Sequence, residues 1–279
     1  MSCLRAFQDY GLRAIGIGEH LLPRGEGITL CEQLALIGSG MIWNLYFLVF
    51  AVVTGFFLAV AIALMRTSVL FWLSWPARAF TFIFRSSPLF LQFFFAYSAL
   101  VLLPRVSIEF DLGFIELNAQ TRWFTRAWLG AVLVLMFNTA AYSSEIFYGA
   151  LLSVPKGDIE AAKAFGMDAR QCFWRVAWPV MLRLSWPAYT NEVIFLFHAT
   201  TLVYLSSFPA RSRQGDALFY AQYFAEQTFN PFIAYPIVAG YFILVTLAII
   251  GISILLERQF NRGTGNSSSR FKFRPRYLR

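Results

Sequence analysis

DIEAAKAFGMDARQCFWRVAWP, residues 158–179, is the longest polar interruption between two apolar runs of this chain that is itself patterned like folded structure. Asp158 is placed to cap a helix, and Glu160 falls in its first turn, where negative charge is favoured. Ala161, Ala162 and Ala164 follow, strong helix formers with almost no side chain. Gly166 predicts a stop, because helices end readily on a residue with positive φ. Asp168 with Gln171 three residues on has capping-box spacing and predicts a second start. Pro179 is expected to close that helix. The spacing predicts a short helix, a tight turn and another short helix, with small residues where a partner surface can come close.

The flanking sequence says where this hairpin sits. Of the 279 residues 58% are apolar, 18% aromatic and only 14% charged, and the apolar residues are gathered in runs. Met41 to Met65, Ser86 to Leu103 and Gln227 to Leu256 carry no charge; Ala127 to Leu152 holds only Glu145, and Leu184 to Ala210 only Glu192 and His198 as ionisable groups. Each is near the roughly 20 helical residues that cross a hydrocarbon core. Backbone groups in lipid must be bonded internally, and nothing alternates like a barrel strand, so five membrane-spanning helices are expected. Thr67 to Ala77 is too short to span, and its two Trp suit an interfacial position. Residues 1–40 read as a mixed outer segment, with Ile28 to Ile37 lying along the surface; 41–256 is the membrane domain, with the hairpin region at 153–183, and 257–279 is a basic tail.

A net charge of +8 raises the question of nucleic acid, but the distribution answers it. With the hairpin on the cytoplasmic side and five alternating spans, the inside segments sum to +11, the outside segments to −1 and the spans to −2. That is the positive-inside bias of a multi-pass protein, with the N-terminus outside and the C-terminus inside. Membrane lipid is the expected partner of the basic tail, and nucleic acid is not expected. Met1 to Leu22 scatters charges through short apolar runs, unlike a cleaved signal. The three cysteines, Cys3, Cys31 and Cys172, lack metal spacing; a disulfide between the first two is sterically open but not the expectation.

The hairpin resembles the signature loop of importer permeases driven by an ATP-binding cassette, E-A-A, three residues, G, nine residues, I-x-L-P. Here it reads Glu160-Ala161-Ala162, Gly166, Val176, Trp178, Pro179, with Trp178 the real departure. Ser153 to Gly157, S-V-P-K-G, is similar to the polar amino acid branch. Phe84-Arg85-Ser86-Ser87-Pro88-Leu89 with Gln92 resembles the family's F-R-G-T-P-L-x-x-Q; a basic anchor before a helix start also accounts for Arg85 and Pro88. Ala141 to Gly149 is similar to A-Y-x-x-E-I-x-R-G, with Tyr148 where many members carry Arg. Glu145 is costly in lipid, by about 2.5 to 3.5 kcal/mol on insertion scales, so it should face protein or water. An ion pair or hydrogen bond is favoured for it over substrate contact, with the partner unidentified.

The fourth run, Pro187-Ala188-Tyr189-Thr190-Asn191-Glu192-Val193-Ile194 and then His198-Ala199-Thr200-Thr201-Leu202, looks most like the histidine and basic amino acid permeases and their opine relatives. Helical spacing puts Tyr189, Glu192 and Phe195 or Leu196 on one stripe, with Asn191 and His198 on the next. A lone acid with a ring one turn away suits a path for a cationic solute. A bond from Glu192 to another span or subunit accounts for it equally well, and simple packing is the favoured account of His198.

No G-x-x-x-x-G-K-[ST] loop is present, so ATP hydrolysis falls to another chain. No nucleophile, metal or cofactor constellation recurs, and no catalytic residue is assigned. The expectation is an all-helical, five-span type I permease of the inner membrane, a transport subunit for basic or polar amino acids or opines. The resemblance implies an ATP-binding cassette dimer, a second permease subunit that is a copy or a paralogue, and a periplasmic solute-binding protein. An ion-coupled secondary transporter or a non-transporting scaffold is the alternative; five spans without an obvious repeat weigh against the former.

Overall fold

The computed structural model describes residues 3–19, 21–24, 27–102, 107–111, 116–120, 127–205 and 215–262. The basic tail beyond 262 and the loop charges at 105, 122, 126, 211 and 213 lie outside the described residues. The first elements are α1 (Cys3–Tyr10), a 3-10 turn (Arg13–Ile15) and α2 (Leu30–Thr67), a 38-residue helix. There follow α3 (Phe71–Ser86), α4 (Leu89–Leu102), β1 (Ser107–Asp111), β2 (Glu116–Gln120) and α5 (Ala127–Leu152). The remainder is α6 (Lys156–Ala164), α7 (Ala169–Cys172), α8 (Trp178–Ala199), α9 (Leu202–Leu205), α10 (Ala217–Thr228) and α11 (Pro231–Arg262).

Among the described residues three helices are long and apolar enough to cross a membrane: α2, α5 from Leu129, and α11 to Gln259. The pair α3 and α4, bent by 106° at their junction, has together the length and apolarity of a broken span or a re-entrant loop. The described parts of the five expected runs are mainly helical, but α8, with Arg183, Pro187 and Glu192 in its 22 residues, is not among the qualifying helices, so the five-span count is not confirmed. The short antiparallel β1–β2 hairpin, Ser107 opposite Gln120, lies in a stretch the sequence leaves as a loop.

One expectation fails locally. Ile28 to Ile37 does not lie along a surface: α2 starts at Leu30, with Thr29 and Glu32 forming a capping box, and runs unbroken into the apolar stretch. Its polar opening turns are buried because the N-terminal segment folds over them. Ala14 N–H donates to Ser39 Oγ (2.7 Å), Trp43 Nε1 donates to the Ala14 carbonyl (3.0 Å), and Cys3 and Cys31 form a disulfide. Thr67 to Ala77 runs into α3, which begins at Phe71, and its Trp72 and Trp75 are exposed.

The packing centre is α2 against α5, with α8 on α5 and α11 on α8. Small residues allow the approach: a Cβ on Gly55 would meet Thr139 Cγ2 at 2.6 Å, and one on Gly40 would meet the Asp216–Ala217 backbone at 2.6 Å. Around the first contact, Phe56, Phe147 and Tyr189 bring three helices together at centroid distances of 5.3 to 5.8 Å. At the Leu30 end, α10 closes the bundle through a buried network. Asn44 Nδ2 donates to Thr200 Oγ1 (2.9 Å), Ala217 N–H donates to Asn44 Oδ1 (3.1 Å), and Asp216 caps α10 by accepting from Phe219 N–H (3.0 Å). Only 6% of the apolar window of α11 is buried, leaving that helix open to lipid or a neighbouring subunit.

Candidate functional site

The hairpin folds as two rigid short helices joined at a left-handed residue. Gly166 has φ +78°, and the turn is closed by Gly166 N–H to the Lys163 carbonyl (2.9 Å) and Met167 N–H to the Ala162 carbonyl (3.1 Å). Asp168 and Gln171 form the expected reciprocal capping box, Gln171 N–H to Asp168 Oδ1 at 2.7 Å. Two features differ from expectation. Pro155, not Asp158, is the cap of α6, because its φ of −59° already turns the chain and its carbonyl accepts from Asp158 N–H (3.1 Å); Asp158 sits in the first turn, still favourable for its charge. Pro179 does not close the second helix. Phe173–Ala177 forms a π turn that leads straight into α8, where Pro179 occupies the first turn and needs no N–H partner.

Ala162 is buried, while Glu160, Ala161, Ala164 and Gly166 are exposed and Phe165 is 84% exposed. The site Gly166 would give a Cβ is empty of other atoms to 4 Å. A stiff, open ridge of small residues carrying one acid and one bare ring can lie in another protein's groove.

The junction of α3 and α4 explains the motif around Pro88. Gln92 Nε2 donates to the Phe84 carbonyl (2.7 Å), the Ser87 carbonyl (3.0 Å) and Ser87 Oγ (2.9 Å), holding both arms of the bend. Its Oε1 accepts from Asn138 Nδ2 (3.3 Å), which ties the bend to α5. Pro88 opens α4, its carbonyl accepting from Gln92 N–H (3.2 Å).

Glu145 has its partner. Arg66 at the end of α2 donates to both carboxylate oxygens, and Arg85 Nη1 approaches Oε2 at 3.2 Å. The Arg66 guanidinium also lies over the Tyr148 ring, 4.2 Å from its centroid, so Tyr148 supplies a π face to the cation that pairs with Glu145. The sequence reading missed Arg66; its one signal was a cation directly ending an apolar run.

The four residues assigned to a solute path divide between two faces of α8. Tyr189 and Glu192 are buried together with Leu196, Tyr189 against Phe56 and Phe147. Glu192 interacts with Thr139 of α5, and its Oε1 has no hydrogen-bond partner among the described residues. Phe195 turns outward, settling the stripe in favour of Leu196. Asn191 is exposed, and His198 Nε2 lies 3.1 Å from Thr246 Oγ1 on α11. The structure therefore brings Tyr189 and Glu192 together and leaves Asn191 and His198 elsewhere.

Comparison with known proteins gives the same architecture. The HisM permease protein of a histidine/lysine/arginine/ornithine transport system from Salmonella typhimurium is 36% identical over 223 residues, covering 80% of this chain and 88% of HisM. The octopine transport permease OccM of Rhizobium radiobacter is 40% identical over 173 residues, 62% of this chain and 67% of OccM. A crystal structure of an amino acid ABC transporter with histidines superposes with a TM-score of 0.64 at 25% identity, covering 80% of this chain and 93% of that one. Residues 37–261 match the family described as the binding-protein-dependent transport system inner membrane component, from within α2 nearly to the end of α11. Spanning the whole helical bundle with its hairpin, that match places this chain in the family of inner membrane components of binding-protein-dependent transport systems, to which it belongs.

Proposed function

We propose that this chain is the permease subunit of an ATP-driven importer of basic amino acids or related opines, worked through the α6–α7 hairpin. The hairpin's build carries the reading: a capped, left-handed turn between two rigid helices transmits force, whereas a mobile loop absorbs it. An ATP-binding cassette dimer grips the ridge from Glu160 to Gly166. Closure of that dimer pushes the hairpin, and because α7 runs through the π turn into α8, the push reaches the membrane helices without a slack joint. A second permease subunit, copy or paralogue, supplies the other half of the path, and a periplasmic solute-binding protein delivers the solute.

The topology has five spans, the N-terminus periplasmic and the C-terminus cytoplasmic. The Cys3–Cys31 disulfide supports it, since such bonds persist in oxidising compartments, as does the basic bias of the hairpin side. α2 then runs inward, and α3 and the hairpin share the cytoplasmic end.

The solute class is supported by the substrates in the names of HisM and OccM and by Glu192, a buried carboxyl group beside Tyr189 with one oxygen that has no hydrogen-bond partner among the described residues. A cationic side chain passing that face meets a counter-charge and a ring. The test is uptake of arginine, lysine, histidine and octopine by vesicles carrying the complete importer with its binding protein, with and without internal ATP. ATP-dependent uptake of a cationic solute that falls sharply in Glu192→Gln is the expected result. Uptake driven by an ion gradient without ATP would overturn the function; ATP-driven uptake unaltered by Glu192→Gln would remove Glu192 from the path.

A further inference from the structure

Arg66, Arg78 and Arg85 line one cavity of about 340 Å³ between α3 and the adjoining ends of α2 and α5, together with Glu145, Thr81 and Ser86. Three guanidinium groups face one carboxylate. Glu145 is already committed to Arg66 and Arg85, and Arg78 has no ion pair or hydrogen bond among the described residues. The Arg66 Nε is buried without a partner as well. The cavity lining thus carries an excess of two positive charges, one of them on Arg78, which is exposed and not committed to Glu145.

The helix that carries two of these arginines has an unusual outer face. Trp75, Arg78, Phe82 and Arg85 recur at spacings of three, four and three, so they form a single stripe along α3. Trp75 is 59% and Phe82 73% exposed, and Trp72, one turn before the first of them, is 86% exposed. Rings and guanidinium groups alternate along a helix bent 106° away from its continuation α4. A soluble anion would engage the arginines and leave the rings bare. A second copy of this chain would bring an identical positive cluster against this one. A molecule with an anionic phosphate at one end and hydrocarbon at the other engages both parts of the stripe.

We propose that this cavity is a binding site for the phosphate headgroup of an anionic phospholipid. The phosphate sits between Arg78 and Arg85 with Arg66 behind it, and the glycerol and acyl chains lie along Phe82 and Trp75. Arg78 is the residue this assignment makes specific, since Arg66 and Arg85 have structural work with Glu145 and Arg78 has none.

The test is native mass spectrometry of the delipidated full importer complex, titrated with phosphatidylglycerol, phosphatidylcholine or glycerol 1-phosphate. Each copy of this chain is expected to retain one phosphatidylglycerol that Arg78→Gln binds about fivefold more weakly, the effect of about 1 kcal/mol for one cation near a lipid surface. Arg78→Lys should restore most of the binding. Equal retention by wild type and Arg78→Gln, or equal retention of phosphatidylcholine, would overturn the site. Displacement of the lipid by equimolar glycerol 1-phosphate would reassign it to a soluble phosphate and overturn the lipid proposal. No phosphatidylglycerol bound to the wild-type complex would mean that a neighbouring subunit covers this face, which also overturns it. No readout here depends on transport, so the outcome is separate from that of the uptake experiment.

Discussion

Arg66 and Glu145 are 79 positions apart in sequence, yet both terminal nitrogens of the arginine engage the carboxylate and join the last turn of α2 to α5. The pair sits at the end of the bundle from which the hairpin departs, seven residues before α5 ends at Leu152. It therefore braces the end of the bundle from which the hairpin departs.

Glu145→Gln should destabilise the fold by about 1 to 2 kcal/mol. This is less than the roughly 3 to 5 kcal/mol of a fully buried pair, because the Glu145 side chain is 38% exposed while that of Arg66 is only 13% exposed. Thermal unfolding of Glu145→Gln, Arg66→Gln and the double variant in detergent checks it. The double variant should lose less than the sum of the singles; strict additivity would show that the two residues do not act as a pair.

Gln92→Leu removes the clamp on the α3–α4 bend. The three bonds from one amide nitrogen, at about 1 kcal/mol net per typical bond and shared by two protons, set an expected loss of about 2 kcal/mol. Because the bend itself is released, hydrogen exchange should rise at residues 84–92 in the variant and stay unchanged in α11. An unchanged exchange pattern at the bend would show that Pro88 alone holds it.

Asp216, outside the membrane spans, is pushed up to about 7 by burial, against 3.8 for the free side chain. An acid whose folded pKa is raised gives the folded state a proton advantage that is complete below the unfolded pKa and is lost as pH rises through the folded one. Stability of the α10 end should fall as pH goes from about 4 to about 7. Asp216→Asn keeps an N-cap acceptor and should flatten that slope. Melting curves at pH 4.5, 6 and 7.5 for both proteins read it; equal slopes would mean that the carboxyl does not titrate there.

Gly166→Ala forces a Cβ into the left-handed region, at about 1 kcal/mol, in an open turn where nothing else clashes. The permease should fold and reach the membrane normally, while ATP hydrolysis becomes less responsive to solute. Folding and solute response both unaltered would show that the turn geometry is not used.

What could be read from sequence was local. Gly166 and the Asp168–Gln171 box were legible because the residues that define them lie within a turn of one another. Asp158 was misplaced as a cap by two intervening choices of the chain, Pro155 and its own first turn, that residue preference does not rank. Pro179 looked like a stop because an extra residue of π turn, invisible to spacing rules, leads into it in a position a proline tolerates. The start of α2 at Leu30 was hidden because Glu32 and Gln33 look like surface residues and are buried by a tertiary contact with residues 3–19. Arg66 and Glu145 could not be paired at all without the fold, and the division of Tyr189 and Glu192 from Asn191 and His198 needed to know which face of α8 meets α5.

The most direct test of the hairpin as the ATPase's grip is site-specific crosslinking from Ala161→Cys in inner membrane vesicles carrying the whole importer. A cytoplasm-side adduct to the ATP-binding subunit, with a yield that changes between nucleotide-free and ATP-bound states, is the expected result. Labelling of that cysteine from the periplasmic side, or the absence of any ATPase adduct in both states, would contradict the account.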